Sequence, residues 1–157
     1  MRWVLPLLLL GACSGKAEMP SGTPTVPVTI EGAGGRHVFR AEVADTPEEQ
    51  ARGLMFRTNL PDDFAMLFAP YPSSGAPREA SFWMKDTPSA LDIVFIRADG
   101  TVARIAENTV PFAEAPVTSG EPVAAVLEVR GGRTAELGIG EGDRVRWPAI
   151  ETAKTPE

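Results

Sequence analysis

The chain has 157 residues with 23% charged residues and a net charge of −6, which allows one domain with a real core and gives no electrostatic case for nucleic acid. A single histidine excludes multi-histidine metal sites and a triad with a spare imidazole; a single cysteine excludes an intramolecular disulfide. The 15 glycines and 15 prolines imply short elements joined by many turns.

Residues 1–12 open with Arg2, run apolar from Trp3 to Leu10 and end in small residues, the pattern of a secretory signal too short to span a bilayer. Leu10-Gly11-Ala12-Cys13 resembles the bacterial lipobox, in which the cysteine is lipidated and becomes the mature N-terminus. Residues 13–25 lack apolar periodicity and suit a flexible linker between that anchor and the fold. The expectation is an exported protein held by Cys13, with Ser14 suiting the outer membrane and a domain facing the periplasm.

A single mainly-β domain is expected over 26–148. Val26–Ile30 and His37–Ala44 alternate apolar and polar across a glycine turn and predict a hairpin, with Pro27 favouring an edge and Phe39, Ala41 and Val43 facing inward. Thr46-Pro47-Glu48-Glu49 is a helix start: Thr46 can cap, Pro47 suits the first turn and Glu49 can close the box. The helix is expected to reach Leu54 or Met55, with a short strand at Ala65–Phe68. Phe82–Thr87 and Leu91–Arg97 read as strands, and Asp99-Gly100 as a two-residue hairpin loop into Val102–Ala106. Residues 108–122 read as a long connection, followed by a strand at Val123–Val129, a helix at Thr134–Leu137 and a last strand at Arg144–Trp147. Residues 149–157 read as a polar tail. About eight short strands and two short helices give a small barrel or sandwich.

Several separate blocks carry a resemblance: Arg52-Gly53-Leu54-Met55-Phe56-Arg57, Met66-Leu67-Phe68, Phe82-Trp83-Met84-Lys85-Asp86-Thr87, Leu91-Asp92-Ile93-Val94-Phe95-Ile96, Val126-Leu127-Glu128-Val129 and Gly142-Asp143-Arg144-Val145. Their order and spacing, over about Val28 to Trp147, are similar to domain of unknown function 192, an uncharacterised family of bacterial and archaeal proteins. That family typically has Asn where this chain has Asp86, and often a cysteine after the proline where this chain has Pro111-Phe112, which argues against a cysteine-based role here. The resemblance implies a compact, mostly β fold, often in exported proteins, with no settled activity.

No catalytic motif stands out, and no cofactor or metal is expected. Asp92 lies in a strand apolar on both faces, so it needs a cationic or hydrogen-bonding partner, and Lys85, Arg57 and Arg52 qualify. Such a pair beside an exposed Trp83 could bind a sugar or a carboxylate, or could simply fix strand register. Glu128, in an apolar strand, is the residue expected to have a raised pKa unless an arginine holds it. Arg52, Arg57, Trp83, Lys85, Asp92 and Glu128 form the candidate cluster. Met55, Met66 and Met84 could ligate copper but suit core packing better. The functional expectation is a tethered module binding a small polar ligand or an envelope partner. Alternatives are a hydrolase or carbohydrate-active enzyme using Asp92 with Glu128 or Glu107, and a purely structural assembly factor.

Overall fold

The computed structural model describes residues 23–149; the signal segment, Cys13, most of the linker and the tail beyond 149 lie outside the described residues. Nine strands and two short helices follow one another as β1 (Thr25–Gly32), β2 (Gly35–Ala44), α1 (Pro47–Arg52), β3 (Phe64–Phe68), β4 (Arg78–Phe82), β5 (Leu91–Ile96), β6 (Val102–Ala106), β7 (Val117–Val123), β8 (Ala125–Arg130), α2 (Arg133–Leu137) and β9 (Arg144–Arg146).

Seven strands form one sheet in the order β6-β5-β8-β3-β2-β1-β9, with β2 and β3 parallel and the other pairs antiparallel. A bridge from Thr101 to Arg144 brings the two ends together, so the sheet is a nearly closed barrel. Alternate side chains from all seven strands, among them Val28, Phe39, Leu67, Val94, Val102, Leu127 and Val145, pack into one core, which is therefore the barrel interior. The opposite face carries a second core of Phe64, Phe68, Leu91, Ile93, Phe95 and Val126, covered by the β4–β7 ribbon and the loop around Met84. Each fully buried large side chain of this kind contributes about 1.5–3 kcal/mol, so two cores rather than helix propensity hold the fold.

The helix start is as the sequence predicts. Thr46 Oγ1 accepts from the Glu49 amide at 3.2 Å and Glu49 returns a bond to the Thr46 amide, a box worth about 1 kcal/mol. Gln50 then ties α1 down, donating to the carbonyls of Ala44 and Pro70. The helix stops earlier than expected, at Arg52, because Gly53 takes φ +47° and turns the chain; Ala51 stays exposed while Leu54 is buried.

Other differences have local causes. Phe82–Thr87 is not a strand: β4 ends at Phe82, and Met84 and Thr87 close a turn in which Asp86 takes φ +52°. Asn and Asp accept that left-handed geometry best among residues with side chains, which accounts for the Asn that the resemblance places there. The Asp99-Gly100 connection is longer than two residues, since Arg97 and Thr101 close it and only Gly100 has positive φ. Residues 117–123 form β7, disguised by Ser119-Gly120 and Pro122. Val43 is half-buried, whereas Glu42 and Ala44 are buried, because α1 covers the end of β2.

Candidate functional site

Asp92 sits on the interior side of β5 with Val94 and Ile96, at one end of the barrel. Its Oδ1 accepts from the amides of Asn108 (2.7 Å) and Gly132 (2.8 Å); its Oδ2 accepts from the Thr134 amide (2.8 Å) and hydroxyl (2.7 Å). The partners are four hydrogen-bond donors, and none of the arginines or the lysine that the sequence offered is among them. The anion at the Gly131-Gly132 turn and the start of α2 is the chain's own aspartate. α2 is thereby pinned across the barrel end.

Lys85 is not the partner of Asp92. Its strand is absent, and its Nζ lies exposed, 5.2 Å from the Trp83 ring centroid. Lys85→Met should therefore cost at most about 1 kcal/mol in a denaturant titration, the scale of an exposed cation–π contact. A loss of about 3 kcal/mol would restore the buried pair. Arg57 is engaged elsewhere too: its guanidinium meets buried Glu42 at 2.6 Å and lies over the Phe64 ring.

Glu128 points to the opposite face of the sheet from Asp92. The register places Asp92 beside Val129 and Glu128 beside Ile93, so the two carboxyls are separated by the sheet and cannot serve as an acid–base pair across one ligand. Glu42, Met66, Glu128 and Ile93 form one cross-strand row on the outer face. Glu107 is exposed.

Glu128 forms the floor of a cleft between the end of α1 and the Trp83–Thr87 turn. The walls are Arg52 to Met55, Phe68, Phe82, Trp83 and Thr87. Glu128 is only 4% exposed, and its Oε2 has no hydrogen-bond partner. Burial pushes its carboxyl up to about 8, so it is largely protonated at neutral pH. Gly53 gives access: a Cβ there would stand 3.7 Å from Glu128 Oε2 and 3.3 Å from the Phe68 ring. The space open to the centre of a water molecule is about 30 Å³, room for roughly two waters. Trp83 is 47% exposed, and Arg52, exposed on α1, makes no ion pair among the described residues.

Of the six residues singled out in the sequence, the cleft brings together Arg52, Trp83 and Glu128; Arg57, Lys85 and Asp92 lie elsewhere. Reading the sequence alone missed Glu42, which the alternation of β2 places outward, and two exposed aromatics whose amides hold the Trp83–Thr87 turn. Phe56 (71% exposed, φ +63°) donates its amide to Asp86 O at 2.7 Å, and Phe112 (62% exposed, φ +61°) donates to Thr87 O at 3.1 Å. Positive φ at a bulky residue costs on the order of 1–3 kcal/mol and no sequence pattern announces it. Met66 and Met84 are core residues, Met84 Sδ accepting from the Thr109 hydroxyl at 3.1 Å; Met55 is half-buried in the cleft wall. Among the described residues no group of three or more His, Cys, Asp or Glu is placed to hold a metal ion.

A nearly closed small barrel with an acid-floored cleft on its outer face defines a mainly-β module. The chain belongs to the DUF192 family, an uncharacterized ACR, which it matches over residues 28–147. It is similar to a protein of unknown function from Novosphingobium aromaticivorans DSM 12444, with 48% identity, TM-score 0.76 and coverage of 87% of this chain and 94% of that one. It also resembles a Sinorhizobium meliloti 1021 protein taken to be a transcription regulator, with 40% identity, TM-score 0.73 and coverage of 78% and 93%. No curated protein matches the chain.

Proposed function

We propose that this protein is an exported, membrane-tethered binding module whose site is the Glu128 cleft, taking a small polar group. One observation carries the reading: a carboxyl buried to 4% exposure keeps an oxygen without a partner, beside a glycine that opens the wall over it. A buried polar atom left unpaired costs about 1–3 kcal/mol, a cost that an arriving ligand relieves. Exposed Trp83 at the rim supplies contact area for the rest of a ligand or partner. The transcription-regulator description of the Sinorhizobium protein is not extended to this chain, whose net charge is −6.

Amide spectra of the full chain titrated with a panel of small polar compounds test the cleft. Shifts should concentrate at Gly53, Trp83 and Thr87. Shifts confined to other surfaces, or none at all, would remove the cleft from consideration. The tether rests on Arg2, the apolar run to Leu10 and Cys13. Inhibition of lipoprotein signal peptidase should leave an uncleaved precursor, and normal processing under that block would sink it.

A further inference from the structure

We propose that the group taken by the cleft is a carboxylate, held between the Glu128 carboxyl and the Arg52 guanidinium, with its apolar body against Trp83. The inference rests on the cleft being the binding site and names its ligand class. Two residues of one cleft are each without a charged partner, and they do not bond one another: Glu128 Oε2 has no hydrogen bond, and Arg52 has no ion pair among the described residues. One ligand type satisfies both. A protonated carboxyl donates to one carboxylate oxygen, as two carboxyls share a proton, while arginine supplies the fork that matches carboxylate geometry.

Space agrees with this. A cavity of about 30 Å³ has room for the two oxygens of a carboxylate. A primary ammonium would satisfy Glu128 alone and would be repelled by Arg52. A divalent cation would need several oxygen ligands where the cleft floor offers one carboxyl. The charged groups around the cleft are Arg52 on α1, the Glu42–Arg57 pair along the cross-strand row, and Lys85 and Asp86 on the turn beyond Trp83. β3 and β5 present Met66, Phe68 and Ile93.

Calorimetric titration of the full chain with sodium butyrate, n-butanol and n-butylammonium chloride tests the assignment. Butyrate should bind with level affinity from about pH 6 to about 8 and then weaken about tenfold per pH unit as Glu128 loses its proton. Glu128→Gln keeps a donor, so it should bind butyrate without that fall. Arg52→Gln, on an exposed helix position, should weaken butyrate about tenfold or more at every pH. N-acetyl-glycyl-leucine separates the two sources of a carboxylate: binding at least as tight as butyrate assigns a polypeptide C-terminus, and exclusion assigns a free acid. Equal binding of butanol and butyrate with a silent Arg52→Gln overturns the carboxylate and leaves the cleft as a site. Preferential binding of butylammonium overturns it as well. Failure of all probes to bind overturns both the carboxylate and the cleft.

Discussion

Asp92→Asn should lower stability by about 3 kcal/mol, read as a drop on the order of 10 °C in the thermal midpoint of the full chain. The carboxylate accepts four hydrogen bonds and donates none. Asparagine keeps one acceptor oxygen and turns an NH2 group toward the other two donors. In place of Oδ1 it faces the amides of Asn108 and Gly132; in place of Oδ2 it faces the Thr134 amide while the Thr134 hydroxyl turns to accept. At least one buried N–H is left facing a donor, and the remaining bonds lose their charge. Each such unsatisfied group costs about 1–3 kcal/mol. Thr134→Val removes one of the four bonds and should cost about 1 kcal/mol; combined with Asp92→Asn it should add less than its single effect, because the two share a network. A loss of only a few tenths for Asp92→Asn, as exposed charged pairs give, would contradict a carboxylate that closes the barrel end.

Stability of the wild-type chain should fall as pH rises from about 4.5 to about 8, and Glu128→Gln should flatten that fall. The folded-state pKa of Glu128 lies above its unfolded value of 4.5, because burial disfavours the charged form. The folded chain thus holds an extra proton throughout that window. The stability this represents is full below the unfolded value and is lost as pH climbs through the folded one, at up to about 1.4 kcal/mol per pH unit for a single group. Other carboxyls shift the opposite way: Asp63 is lowered by its bond to Arg40 and Glu136 by Arg133 and Arg130. Their contributions are gained as pH rises through the acid range and are complete before the Glu128 loss ends. The difference between variant and parent isolates Glu128. Identical pH slopes for the two would show that its carboxyl is hydrated or paired.

Much of the architecture was legible because its signals are local. The capping box at Thr46–Glu49 needs only four neighbouring residues, and the apolar run Leu91–Ile96 announces a strand buried on both faces. Where the reading failed, the deciding partner is distant in sequence. β7 contains a proline and a glycine and exists because β4 pairs with it, about 40 residues earlier. The Phe82–Thr87 turn is held by Phe56 on one side and Phe112 on the other, contacts that no pattern within the turn reveals.

The candidate cluster divides for the same reason. That Asp92 and Glu128 are carboxylates set in apolar strands is plain from the residues, and so is the demand that each find partners or change its protonation. Which solution each takes depends on the face of the sheet and on what covers it. Barrel closure puts Asp92 beside the amides of Asn108 and Gly132 and the amide and hydroxyl of Thr134, which together satisfy it, and puts Glu128 under Gly53, where no protein group does. A mainly-β domain, its helix start and two costly buried acids follow from sequence alone, since propensity, patterning and desolvation act residue by residue. Only the tertiary structure decides that one acid is a structural anchor and the other lies open to a cleft, because hydrogen-bond satisfaction depends on groups brought together across the whole fold.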